Sequence, residues 1–260
     1  MANNKKTRRE VADQLRNQQK RADKRQGLII VGACVAIAVL IVGLAAFRPI
    51  KDWWDLRQYN DLKIGEIGAK ADVCGPILTR KATGNQEHVG ADVEIDYPQE
   101  PPAFGKHEDT WDPQGRKLYT KDDRPDTERL VHNLEHGYTI LWFRNIDRGS
   151  SEYDDLRAIA DRLKGDSNMR MKFKAVEWDD ADGDWLDDGK PWKDDDGKEI
   201  DTSKMNVAFT HWSKGGQDED VSNVDKQVGA WQFCSGVSGA ALDDFMKKYP
   251  YLDSPEPAGG

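Results

Sequence analysis

Residues 131–144, VHNLEHGYTILWFR, change their period in the middle. His132 and His136 are spaced i, i+4, which places two imidazoles on one face of a helical turn. Gly137 interrupts the pattern, and residues 138–144 are so rich in β-branched and aromatic types that they predict a buried strand. The alternation continues on the C-terminal side at irregular intervals. Residues 151–163 carry Leu156, Ile159, Ala160 and Leu163 at helical spacing behind a Ser cap, and residues 171–178 and 205–212 read as strands. Residues 238–249 read as a second capped helix with Leu242, Phe245 and Met246 on one face. The expected fold is α+β, with two helices covering one face of a mainly antiparallel sheet. On the N-terminal side, residues 93–97 look extended, and Pro98, Pro101 and Pro102 then force a loop.

Farther upstream, residues 27–47, GLIIVGACVAIAVLIVGLAAF, run for 21 residues without a charge. At about 1.5 Å rise per residue such a helix spans a hydrocarbon core of about 30 Å. A cleaved signal peptide is the competing reading, but its apolar region usually runs for only about 7–15 residues. Nine Lys/Arg against three acids precede this run, whereas the whole chain carries a net charge of −9. The positive-inside rule then expects a cytoplasmic N-terminus and an extracytoplasmic C-terminal domain. Trp53 and Trp54 follow the span, where amphipathic rings favour lipid headgroups. The expected organisation is a basic cytoplasmic segment (1–26), a transmembrane helix (27–47), a juxtamembrane stalk (48–72), an exported α+β domain (73–250) and a disordered tail (251–260). Membrane lipid is an expected partner, and the acidic balance of the exported part argues against nucleic acid.

Topology also sorts the cysteines. Cys34 lies in the apolar run, so Cys74 and Cys234 are the exported pair, and a bridge between them is expected, with a free or metal-bound thiol as the alternative. Residues 179–201, with ten aspartates, read as a solvated surface loop. Asp180, Asp182 and Asp184 alternate like calcium ligands, but an EF-hand beginning at Asp180 would need Gly and Glu where Trp185 and Pro191 stand.

The five histidines, His88, His107, His132, His136 and His211, all follow the apolar run. Residues 132–136 match the H-x-x-E-H string of inverted zincins, but Gly137 and the strand behind it leave too little helix for a metalloprotease. Neither a G-x-S-x-G nucleophile motif nor a C-x-x-C-H haem motif occurs. The chain is therefore not expected to be an enzyme. If His88, His107, His132 and His136 converge, four imidazoles would suit copper or zinc, with Glu135 as a carboxylate that orients one of them. The bland alternative is a hydrogen-bonded polar core without metal. His211, within a late strand, is expected to be structural.

Three motifs in order, Gly84-x-x-x-His88, Pro101-Pro102-x-x-Gly105-x-His107 and Val131-His132-x-Leu134-Glu135-His136-Gly137, give the chain its family resemblance. It resembles the actinobacterial family known as domain of unknown function 3105, over about residues 64–250. That resemblance implies one membrane helix followed by an exported domain, and it implies location more than chemistry. By analogy with single-pass actinobacterial proteins, it suggests an accessory or scaffold subunit beside a larger integral membrane complex, such as the respiratory cytochrome bcc-aa3 machinery. Metal delivery through the His cluster is the alternative role. The acidic segment 179–201 departs from the family pattern, as do Ala103 and Phe104, where small hydroxyl residues are more usual.

Overall fold

The computed structural model describes residues 3–84, 87–165 and 167–259. It divides into two compact units, Met1–Arg57 and Gln58–Gly260. The first unit is one helix, α1 (Asn3–Leu56), which passes through Pro49 without ending. Its apolar run reaches a mean hydropathy of 3.1 and is long and apolar enough to cross a membrane. The basic segment, the apolar run and the start of the stalk are thus continuous in secondary structure. Beyond α1 the chain tightens into three single 3₁₀ turns, Arg57–Tyr59, Ile64–Glu66 and Ala71–Val73.

In the second unit the strands are β1 (Leu78–Lys81), β2 (His88–Val89), β3 (His107–Glu108) and β4 (Leu118–Tyr119), followed by helix α2 (Thr127–Glu135). After them come β5 (Thr139–Phe143), α3 (Ser151–Arg162), β6 (Phe173–Glu177), β7 (Val207–Ser213), β8 (Val228–Cys234) and α4 (Gly239–Lys248). Six strands form one sheet in the order β1-β8-β7-β5-β6-β4. The β1–β8, β8–β7 and β7–β5 pairs are antiparallel, while β5–β6 and β6–β4 are parallel. A parallel step between neighbours needs a crossover, and α3 supplies it between β5 and β6. The fold is therefore α+β with a mostly antiparallel sheet. Strands β1 and β8 were not expected, because the glycine and glutamines of QVGAWQFC break the β-rich signature that marks β5.

Alternation along the strands separates two faces. Ile140 and Trp142 of β5 share one face with Ala208 and Trp212 of β7, and all four pack in a cluster with Leu130, Val131 and Leu134 of α2. On the opposite face Phe143 meets Tyr153 of α3, and Phe209 of β7 meets Phe245 of α4. Helix α2 is longer than expected. Its apolar residues begin at Leu130, and Gly137 does not cut the helix short but follows its end, at φ +88°. A Cβ on Gly137 would come within 2.4 Å of the Tyr251 carbonyl, so only glycine fits where the chain leaves α2 for β5.

Two segments differ from expectation. The acidic loop 179–201 is not merely solvated, because Trp185 and Trp192 are fully buried. Trp185 stacks near Phe233, and Trp192 near Trp231 and Phe233. The aspartates thus occupy the outer surface of a segment anchored by two rings. The tail 251–260, expected to be disordered, is packed as far as Gly259. Asp253 and Ser254 are buried, and the Asp253 carboxylate accepts from the Ser213 hydroxyl and the Gly216 N–H, each at 2.8 Å. Polar composition concealed this, because the partners of these side chains are buried polar groups rather than water. Cys74 and Cys234 form a disulfide that ties the chain ahead of β1 to the end of β8.

Candidate metal centre

Three short elements bring the site together. Strands β2 and β3 pair in parallel with His88 opposite His107, and α2 packs against β3 with His132 and Glu135 one turn apart. His88, His107, His132 and Glu135 each offer a ligand atom, and these four atoms all lie within 4.8 Å of one another. A tetrahedral ion with bonds of about 2.0–2.2 Å would hold its ligand atoms about 3.3–3.5 Å apart. His107 Nε2 and Glu135 Oε2 are already 3.0 Å apart.

The backbone fixes which nitrogen of each ring is available. His107 Nδ1 donates to the Gly105 carbonyl at 2.8 Å, and His132 Nδ1 donates to the Glu108 carbonyl at 2.7 Å. A neutral imidazole with a protonated Nδ1 carries its lone pair on Nε2. This tautomer and ring orientation suit a metal ligand, because the donated hydrogen bond raises the basicity of the other nitrogen. Glu108 is itself clamped by the Arg129 guanidinium, which grips both carboxylate oxygens and holds its carboxyl below the ordinary range. Trp111 lies edge-on to both His132 and His136, and Asn133 ties the following Asp112 to α2 through two backbone hydrogen bonds.

The electrostatics leave acceptors without donors. His107 and Glu135 are completely buried, and neither His107 Nε2 nor either oxygen of Glu135 has a hydrogen-bond partner. The 3.0 Å contact between them is therefore close but not aligned for a hydrogen bond. Burial, aided by the neighbouring His107, pushes the His132 pKa down to about 4, so this ring is neutral at neutral pH. Burial alone would raise the Glu135 carboxyl, but its contact with His107 and the nearness of the His132 and His136 rings outweigh burial and hold it below the ordinary range, so the group stays an anion. A buried anionic carboxylate beside imidazole nitrogens offers the donor types that divalent transition metals take.

Of the residues expected to converge, His136 is not among the four groups. It sits at the C-cap of α2, where it is buried and its Nε2 has no hydrogen-bond partner among the described residues. Its Nδ1 donates to the Glu256 carbonyl at 3.0 Å, and its ring stacks on His132 with centroids 4.6 Å apart. Glu135 takes its place as more than an orienting group, one helical turn from His132. That i, i+3 spacing was the available signal, because position 136 falls past the last helical turn. His211 is completely buried, with Nδ1 3.1 Å from the Tyr138 carbonyl and Nε2 2.8 Å from the Asp253 carbonyl. A cleft of about 910 Å³ lies beside the first turn of α2, lined by Asp92, Glu94, Glu100 and Glu128 among others. None of the four clustered groups lines it among the described residues.

No curated protein and no solved structure matches the chain. Residues 88–176, the segment that contains all four clustered groups, match the family described as Protein of unknown function (DUF3105).

Proposed function

We propose that the chain is a single-pass, membrane-anchored protein whose extracytoplasmic domain binds one divalent transition-metal ion through His88, His107, His132 and Glu135. The observation that carries this reading is the pair of buried acceptors, His107 Nε2 and Glu135 Oε2, lying 3.0 Å apart with no donor aligned between them. A single proton could join one pair of these atoms. It would leave the other Glu135 oxygen uncompensated, whereas one cation held by the cluster satisfies both residues. Three imidazole nitrogens and one carboxylate oxygen suit Zn(II) in tetrahedral geometry, and Cu(II) would bind the same donors more tightly.

The nine basic residues ahead of the apolar run support a cytoplasmic N-terminus. The Cys74–Cys234 disulfide supports placing the domain on the oxidising side. So anchored, the domain is also placed to act as an accessory subunit on a larger integral membrane complex. Analogy with single-pass actinobacterial proteins suggests the respiratory bcc-aa3 assembly, and co-purification in mild detergent tests that partner. Metal binding is tested on the full chain in detergent, dialysed against Zn(II) or Cu(II) and analysed for bound element. About one equivalent on the wild type and none on the His107→Ala/His132→Ala double variant supports the reading, and a wild type without stoichiometric metal overturns it.

A further inference from the structure

The four clustered groups are not held alike. His107 and Glu135 are completely buried, His132 is 3% exposed, and His88 is exposed. The rings of His107 and His132 are each fixed through Nδ1 to a buried backbone carbonyl. No hydrogen bond engages the His88 ring among the described residues, and it meets the cluster through ring contacts, 4.7 Å from His107 and 5.1 Å from His132 between centroids. The supporting elements differ in the same sense. His132 and Glu135 project from α2, which is locked into the core by Leu130, Val131 and Leu134, whereas His88 lies on a two-residue strand paired only with β3. Trp111 walls the His132 side, so the cluster meets solvent at His88.

From this asymmetry we infer that the site is a rigid three-point pocket, His107, His132 and Glu135, closed by His88 as an exchangeable fourth ligand. The bound ion is loaded and released at the His88 side, as transferable cargo or as a centre open to an added ligand, and is not locked in as a structural ion. Closed structural sites hold four equally anchored ligands, whereas sites that exchange or react keep one position open. His88 can swing off the ion without disturbing the core, because its ring is exposed and makes no hydrogen bond among the described residues. This inference rests on the metal-binding reading.

The test uses the full chain in detergent, loaded with one equivalent of Zn(II), with release measured by stopped-flow mixing with excess chromogenic chelator. Wild type, His88→Ala and His132→Gln are compared. We expect His88→Ala to keep near-stoichiometric zinc but release it at least about tenfold faster, and His132→Gln to lose stoichiometric binding. Unchanged circular dichroism of both variants shows that the fold is intact. If His88→Ala releases zinc at the wild-type rate, or loses binding as completely as His132→Gln, the exchangeable-ligand inference fails while metal binding stands. A wild type that takes up neither zinc nor copper overturns the metal reading itself, and the inference with it.

Discussion

Two buried histidines, His211 on β7 of the six-stranded sheet and His107 on β3 packed against its other face, are held in different ways. His211 lies on the face of β7 that carries Phe209, and both its nitrogens meet backbone carbonyls, from Tyr138 and from Asp253 in the tail. His107 lies at the α2 face, near Trp212, and only its Nδ1 is engaged, while its Nε2 faces a carboxylate to which it is not hydrogen-bonded. Both rings are completely buried. Burial therefore does not separate them; the groups that face their nitrogens do, two backbone carbonyls for His211 and one carbonyl and a carboxylate for His107. A native core rarely leaves buried polar atoms unpaired, so a cluster of unpaired acceptors is where a missing cation is to be sought.

The sharpest way to break this contrast is to strike the scaffold and the site separately. The Cys74→Ser/Cys234→Ser variant releases a cross-link spanning 160 residues and should lose about 2–5 kcal/mol of stability in denaturant unfolding. None of the four clustered groups depends on that bridge, so the variant, where folded, should still bind one zinc. Loss of zinc in a folded variant would mean that the site and the scaffold are not separable. Next in size, His107→Ala alone should weaken zinc binding more than about 100-fold in competition titrations.

Replacing His211 with Ala should do the opposite. A buried backbone carbonyl loses its donor, and stability should fall by roughly 1–3 kcal/mol while zinc affinity stays at the wild-type value. Zinc loss in a folded His211→Ala protein would erase the distinction between the two rings. The smallest effect sharpens it most: Glu135→Gln gives His107 Nε2 an amide donor. In the presence of chelator this variant should be about 1 kcal/mol more stable than wild type, and its zinc affinity should be lower. A folded protein that becomes both less stable and equally zinc-competent would show that Glu135 serves packing and not the ion.

Much of this arrangement was legible in the sequence, and what was hidden has physical causes. The apolar run, strand β5, helices α3 and α4 and the pairing of Cys74 with Cys234 all follow from local periodicity or from compartment. The nearness of His88, His107 and His132 was visible only as three ordered motifs, because β2 and β3 have two residues each and no periodicity can show that they pair. His136 was expected in the cluster, since i, i+4 spacing says nothing of where a helix ends. His136 is held apart from the four groups by the tail, whose Glu256 carbonyl accepts from its Nδ1, a partner that helical spacing cannot show. In the acidic loop the aspartates dominated the composition, and Trp185 and Trp192 were the overlooked sign that the segment is anchored. The tail was concealed more deeply, because Asp253 is held by His211, Ser213 and Gly216, all remote from it in sequence.

The central claim, that the unpaired acceptors of His107 and Glu135 await a cation, is tested most directly by the thermal midpoint of the wild-type chain with zinc and with chelator. Free zinc at about 100 times its dissociation constant should add about 2.7 kcal/mol, raising the midpoint by roughly 5–10 °C for a unit of this size. A midpoint indifferent to zinc, copper and chelator alike would contradict it.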